Sequence, residues 1–251
     1  MTTFRELATS FGSVAEEYDR ARPSYPDALF DAVERLAGRP LAGADVLDVG
    51  AGTGIATRLL AGRGARVIAV EPTPGMAAKL GAVSPELPLV RGDGDDLPFH
   101  DGTADLITYA QAFHWTDPAR SIPEALRVLR PGGALAVWWN VKDGSVEWVR
   151  AMGERLGALP GYHGYGAVNR IAGHLEPYDL RVGSAVLRWE RRITVDHLIA
   201  DLTSRSYVAA LEPAEREPVL AVERRELLAR FPDGWVTEPY VLDLTVAVTG
   251  N

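Results

Sequence analysis

The chain has no cysteine. That removes disulfides, thiolate metal sites and a cysteine nucleophile, and it leaves the redox compartment open. Lysine occurs only as Lys79 and Lys142, so arginine carries the positive charge. At a formal net charge of -8 the chain lacks the basic stripe expected of a nucleic-acid binder. No apolar run approaches the ~20 residues that a membrane span needs. The opening residues, Met1-Thr-Thr-Phe-Arg-Glu6, lack the basic-then-apolar order of a signal peptide. His100, His114, His163, His174 and His197 show no metal-ligand spacing. The expectation is a cytoplasmic protein with no metal, no nucleic-acid partner and no membrane contact, of undetermined oligomeric state.

Glycine is plentiful and patterned. Residues 46–54 read Val-Leu-Asp-Val-Gly-Ala-Gly-Thr-Gly, and Glu71 closes the next apolar run, Arg66-Val-Ile-Ala-Val-Glu71. A short β-branched run that breaks into alternating glycines predicts a strand feeding a tight turn into a helix. Glycine suits that turn because a Cβ would block a ligand's approach to the backbone. The helix from about Ile55 presents free N–H groups and a partial positive charge. An acidic residue ending the next strand is placed to accept both hydroxyls of a ribose. The dinucleotide fingerprint Gly-x-Gly-x-x-Gly fits poorly. Here the order is Gly50-x-Gly52-x-Gly54, with Asp48 two residues ahead.

That order resembles motif I of the class I S-adenosylmethionine-dependent methyltransferases, acidic-x-Gly-x-Gly-x-Gly. Further stretches carry the resemblance, in the family's order, over roughly residues 10–140. Asp93 lies in Arg91-Gly92-Asp93-Gly94-Asp95-Asp96 after a short strand near 87–91. Asp105-Leu-Ile-Thr-Tyr-Ala-Gln111 is a fourth strand running into Ala112-Phe113-His114-Trp115. Pro131-Gly132-Gly133 leads into a fifth strand, Ala134-Leu-Ala-Val-Trp138-Trp139-Asn140. Tyr18-Asp-Arg-Ala-Arg22-Pro23-Ser-Tyr25-Pro26 and Thr203-Ser-Arg205-Ser-Tyr207 are similar to stretches of a small-molecule subgroup that includes trans-aconitate-type and methyltransferase-11-like enzymes.

The resemblance implies a doubly wound α/β Rossmann-like sheet of seven strands, mostly parallel with an antiparallel last strand. It implies S-adenosyl-L-methionine as cofactor, S-adenosyl-L-homocysteine as product and a small-molecule acceptor. The cofactor set it implies is Tyr18, Arg22, Asp48, Gly50, Gly52, Gly54, Glu71, Pro72, Met76, Asp93, Gly94, Asp95, Gln111 and Phe113. Glu71 would hold the ribose and Asp93 the adenine amino group. Tyr25, Trp115, Trp138, Trp139, Asn140, Arg205 and Tyr207 would face the acceptor. Two other enzyme readings remain open, beside a non-enzymatic cofactor-sensing module. One is a cofactor-binding enzyme of the same fold with another reaction, such as cyclisation. The other is an NAD-dependent oxidoreductase, disfavoured by the glycine spacing and the scarcity of lysine.

Periodicity organises the rest. An apolar helical face at Leu29, Phe30, Val33, Leu36 and Ala37 ends at Gly38, with Ser24 as a candidate cap. Alternating strands and helices over 46–140 predict a parallel sheet covered on both faces. Strands are expected at 183–191 and 238–248, and helices at 195–211 and 213–230. The chain reads as one domain, 1–251. By the same resemblance, residues 1–25 would be a lid, 40–140 the cofactor core, 141–235 an acceptor-pocket insertion with the sixth strand, and 236–251 the closing strand. A methyl on a sulfonium is already activated, so a general base is optional. His114, just past the fourth strand, is the candidate, since its ordinary pKa of about 6.5 suits proton acceptance near neutrality. The alternative is that His114 and Trp115 form a pocket wall.

Overall fold

The computed structural model describes residues 22–162 and 171–250. Tyr18 and most of the expected lid lie outside the described residues. In chain order the elements are α1 (Asp27–Ala37), β1 (Asp45–Val49), α2 (Ile55–Gly62), β2 (Arg66–Val70), α3 (Pro74–Val83) and β3 (Leu89–Val90). There follow β4 (Ala104–Ala110), a 3₁₀ turn (Phe113–Trp115), α4 (Pro118–Val128), β5 (Leu129–Lys142), α5 (Glu147–Leu156) and α6 (Ile171–Leu175). The chain ends with β6 (Leu180–Thr194), α7 (Val195–Thr203), α8 (Ser206–Ala209), α9 (Pro213–Arg230) and β7 (Trp235–Thr249).

The strands form one sheet in the order β3-β2-β1-β4-β5-β7-β6. β1 to β5 pair in parallel. β7 inserts antiparallel between β5 and β6. This is the seven-stranded, mostly parallel α/β sheet that the resemblance implies. Its parallel strands read as near-continuous apolar runs because both faces are covered. One face carries Leu29, Phe30 and Val33 of α1 and Leu60 of α2, packed on Val46, Leu106, Trp138 and Leu244. The other carries Ile122, Ala125 and Val128 of α4 with Ile171 and Leu175 of α6, packed on Leu47, Ile107, Val137 and Trp139.

Local signals explain most boundaries. Gly38 closes α1 in the left-handed region, its N–H bonded to the Glu34 carbonyl. The side chain of Asp117 caps α4 by accepting from Ala119 N. Three expectations need correction. Ser24 caps nothing: α1 opens at Asp27 after Pro26, with no side-chain cap. The expected helix over 195–211 breaks near Ser204, giving α7 and the single turn α8. The expected strand 183–191 extends to Leu180–Thr194, because it pairs with β7 along its whole length.

A third apolar cluster stands apart from the sheet faces. Met152 and Leu156 of α5, Leu198 and Leu202 of α7 and Leu227 of α9 pack with Ile193 and Val236. Arg155 clasps the buried Glu223 through two bonds of 2.8 and 2.7 Å, tying α5 to α9. These helices leave from the carboxyl ends of β5 and β6. They form a cap at the same end of the sheet as the glycine turn.

Candidate active site

The glycine turn follows β1. Gly50, Gly52 and Gly54 all have positive φ, at 70, 59 and 86°. Gly50 N and Ala51 N donate to the Val70 carbonyl, pinning the turn to the end of β2. The glycines differ in what a side chain would meet. A Cβ on Gly50 would lie 2.4 Å from the Ala112 Cβ, and one on Gly54 would lie 3.0 Å from Leu80. A Cβ on Gly52 would meet nothing within 4 Å. Gly52 therefore faces open space at the mouth of the turn.

Glu71 sits at that mouth. Its two oxygens accept from Gly52 N and Thr73 N, each at 2.8 Å. A carboxylate has about four acceptor sites, so lone pairs remain for a ligand's hydroxyls. Asp48 lies beneath. It is fully buried, accepting from Thr57 Oγ1 at 2.6 Å and from Thr108 Oγ1 at 2.8 Å. Burial pushes its pKa up to about 6. The two hydroxyls oppose that rise, and the nearby Glu71 adds to it. The cofactor-contact expectation for Asp48 thus meets a sealed carboxyl that fixes the floor of the turn between α2 and β4.

Farther along the carboxyl edge, Asp93 accepts from Asp95 N at 3.0 Å, and Asp95 accepts from Asp117 N at 2.9 Å. The Tyr109 hydroxyl donates to the Gly94 carbonyl. The loop after β3 is thereby tied to the start of α4. Pro72 is exposed between Glu71 and α3, and Met76 is buried on α3. Gln111 is the one non-glycine residue with positive φ among the described residues, at 60°. Its N–H bonds the Trp138 carbonyl at 3.0 Å, and its Nε2 donates to the Asn140 carbonyl at 2.8 Å. Strain held this way is characteristic of functional turns.

The aromatic expectations divide. Trp138 is wholly buried, edge-on to Tyr25 at 5.8 Å and to Phe30 at 6.4 Å. It is core under α1 and does not face an acceptor. Trp139 points to the opposite face and packs in the other cluster, since successive side chains on a strand alternate. The two tryptophans cannot line one pocket. Phe113 turns inward against Tyr109 at 5.3 Å, which removes its side chain from the expected cofactor wall. His114 and Trp115 are exposed on the 3₁₀ turn, with ring centroids 4.7 Å apart. Tyr207 stands edge-on to Tyr162 at 5.1 Å.

Arg205 is not a surface arginine. It bonds Asp201 at 2.7 Å, one turn back on α7. Asp201 also lies 3.6 Å from Lys142 and 3.9 Å from Arg22. Lys142 pairs with Glu238, which Arg191 also reaches at 2.6 Å. Asp201 and Glu238 are fully buried. Burial alone would raise the pKa of Asp201, but Arg205, Lys142 and Arg22 outweigh it and hold the carboxyl well below its usual range. Burial pushes Lys142 down to about 7, opposed by Asp201 and assisted by Arg205 and Arg191. Sequence reasoning found Arg205 and missed Lys142, Asp201, Glu238 and Arg191. The available signals were the rarity of lysine and the Asp201–Arg205 spacing of four on a helix.

Comparison with known proteins decides the family. A methyltransferase-domain family matches residues 47–137. An uncharacterized methyltransferase of Mycobacterium tuberculosis is 40% identical over 228 residues, covering 91% of this chain and 89% of that protein. The chain belongs to the class I S-adenosylmethionine-dependent methyltransferases. A solved structure from Anaeromyxobacter dehalogenans, named as a candidate type II methyltransferase, superposes with a TM-score of 0.68 at 25% identity. It covers 91% of this chain and 97% of that one. The cyclase SpnF shares the fold at a TM-score of 0.55 and 17% identity, covering 98% of this chain and 96% of that one. This methyltransferase uses S-adenosylmethionine as its methyl donor. No helix among its described residues is long and apolar enough to cross a membrane.

Proposed function

We propose that this enzyme methylates a small-molecule acceptor held between the carboxyl edge of the sheet and the α5–α9 cap. On this reading residues 1–251 act as one domain, with the cofactor core at 40–140 and the acceptor pocket built largely from 141–235. The observation that carries it is the open face of Gly52 beside Glu71. Positive φ, empty space where a Cβ would stand and a buried carboxylate with spare lone pairs coincide there. That is a cradle for a sugar carrying two hydroxyls.

S-adenosylmethionine supplies a methyl group already activated on a sulfonium. The chain's own residues must bind, align and exclude water. Glu71 takes the ribose hydroxyls and Asp93 the adenine amino group. Arg22 lines a cavity of ≈ 190 Å³ with Ser24, Ile55, Arg58 and Leu59, at the start of α2. Its guanidinium is suited to the cofactor's carboxylate. The Gln111 turn sets the floor on which the acceptor's nucleophile approaches. His114, exposed beside that turn, takes the acceptor's proton.

Calorimetry with S-adenosylhomocysteine tests the cradle. Glu71→Ala should weaken binding by about 1.5–3 kcal/mol, as for hydrogen bonds to a charged group. Unchanged affinity with an unchanged melting curve would remove Glu71 from the site. His114→Gln should lower methyl transfer by about 10²–10⁴-fold and leave S-adenosylhomocysteine affinity alone. A fall of only a few-fold would make His114 a wall.

A further inference from the structure

Six acidic residues are buried among the described residues: Asp48, Glu71, Asp143, Asp201, Glu223 and Glu238. Four of them face a cation of the chain. Asp201 and Glu238 share Lys142 and also take Arg205 and Arg191 respectively. Glu223 holds Arg155, and Asp143 lies 3.4 Å from Arg188. Neither Asp48 nor Glu71 has such a partner among the described residues. Their donors are neutral: the hydroxyls of Thr57 and Thr108 for Asp48, and the N–H groups of Gly52 and Thr73 for Glu71.

These two acids flank the same turn, Glu71 at its mouth and Asp48 beneath it. On β1, Asp48 is flanked in register by Ala69 of β2 and Thr108 of β4, and Thr57 meets it from α2. None of the three carries a charge. Burial holds the Asp48 proton, and Glu71, itself an anion, adds to that hold against the two hydroxyls. The nearest arginines turn to backbone: Arg58 of α2 to the Thr53 carbonyl, and Arg91 to the carbonyls of Glu71 and Pro72. A buried carboxylate without a countercharge is costly. Open space adjoins the pair at Gly52. A cation entering there supplies the charge that the chain withholds.

We infer that Asp48, acting with Glu71, tunes the cradle to the charge of its ligand and so tells the methyl donor from its product. This rests on the methyl-transfer reading above. The donor carries a sulfonium and S-adenosylhomocysteine a neutral thioether; the two differ by that methyl and its charge. Asp48 is sealed under the turn, so it is a positioning residue that works through its charge. As the donor binds, Asp48 gives part of its proton to solvent. On transfer the carbon–sulfur bond breaks with its electron pair on sulfur, and the positive charge leaves the cradle. Asp48 then regains from solvent what it gave, and the acceptor's own proton leaves separately. The cradle's preference for donor over product therefore grows as Asp48 ionises.

Calorimetry of the full chain in buffers of different ionisation enthalpy counts the protons released on binding. S-adenosylmethionine is compared with S-adenosylhomocysteine and with sinefungin, which carries an ammonium where the donor carries its sulfonium. At about pH 5.5 each of the two cations should release about half a proton more than S-adenosylhomocysteine does. That is the count for a displacement of about one pKa unit in a group titrating at about 6. Between about pH 5 and about pH 7.5 the donor's affinity relative to the product's should rise about fivefold. Asp48→Asn should erase both the extra proton and the rise. If that variant fails to fold, Thr108→Val removes one donor to the ionised carboxyl and should move the proton-release maximum to higher pH. Equal proton counts for donor and product would assign the countercharge to the ammonium they share and overturn the inference. So would an extra proton that survives Asp48→Asn, or a maximum that Thr108→Val leaves in place. Failure of all three ligands to bind wild type would instead overturn the methyl-transfer reading.

Discussion

Asp48, under the glycine turn, and Asp201, in the helical cap, are both fully buried carboxyls, yet one meets hydroxyls and the other meets cations. Thr57 and Thr108 give Asp48 two hydrogen bonds and no countercharge, so burial dominates and its pKa rises to about 6. Arg205, Lys142 and Arg22 overcome the same burial at Asp201 and push it the other way. The signs of the pH dependence follow. The native state holds the Asp48 proton more tightly than the unfolded chain does. Its contribution is complete below the ordinary 3.8 and is lost as pH rises through about 6. Asp201 favours the native state above the ordinary carboxyl range, and that contribution is lost as pH falls. The floor of the glycine turn thus holds a carboxyl that burial makes harder to ionise, and the cap is held by charges that must remain charges.

Asp201→Asn is the harshest test of the contrast. It leaves Arg205 and Lys142 buried against one carboxylate fewer, and it should lower stability by about 3–5 kcal/mol at neutral pH in denaturant titrations. The loss should shrink toward acid. A loss under about 1 kcal/mol would mean that the cap does not depend on this carboxyl.

The glycine turn should separate into structural and ligand-facing members. Gly50→Ala incurs both a left-handed backbone and an overlap with Ala112, so about 2–4 kcal/mol of stability should disappear. Gly52→Ala has the backbone strain alone, about 1–2 kcal/mol, and its methyl points into the space assigned to the cofactor. Thermal melts with and without S-adenosylhomocysteine should show Gly52→Ala losing most of its ligand-induced stabilisation. If the two variants lose stability equally and Gly52→Ala still responds to ligand, the open face at Gly52 is not the cradle.

The gentlest change is Asp48→Asn, which keeps the shape and removes the titration. Relative to wild type, the variant should gain roughly 2–3 kcal/mol of stability as pH rises from about 4 to 7, from a shift of about two pKa units. Chemical denaturation at both pH values would show it. A constant difference across that range would mean that Asp48 ionises as an ordinary carboxyl does.

The glycine turn and the strand ends around it were legible because their signals are local. Gly50, Gly52, Gly54, Glu71, Asp93 and Gln111 each stand at the end of a strand or in the turn after it. A parallel sheet brings all those ends to one edge. Trp138 and Trp139 could not be sorted from the sequence, for the complementary reason. Both faces of β5 are covered, so neither residue's polarity reveals which side holds a pocket. The Lys142–Glu238 pair depends on β7 inserting antiparallel beside β5, a register that no local pattern announces. Only Asp201 and Arg205 were within reach, as charges four apart on a helix.

One of the chain's two lysines lies sealed beneath the cap, and the other, Lys79, is half-buried on α3. Amine-directed acylation therefore has very few targets, and they differ sharply in access. Reagent reaches the Lys142 nitrogen only when the cap lifts from β5 and Glu238 lets go. The ratio of label at Lys142 to label at Lys79, followed over time by mass spectrometry, becomes a covalent clock for the opening of this end of the molecule.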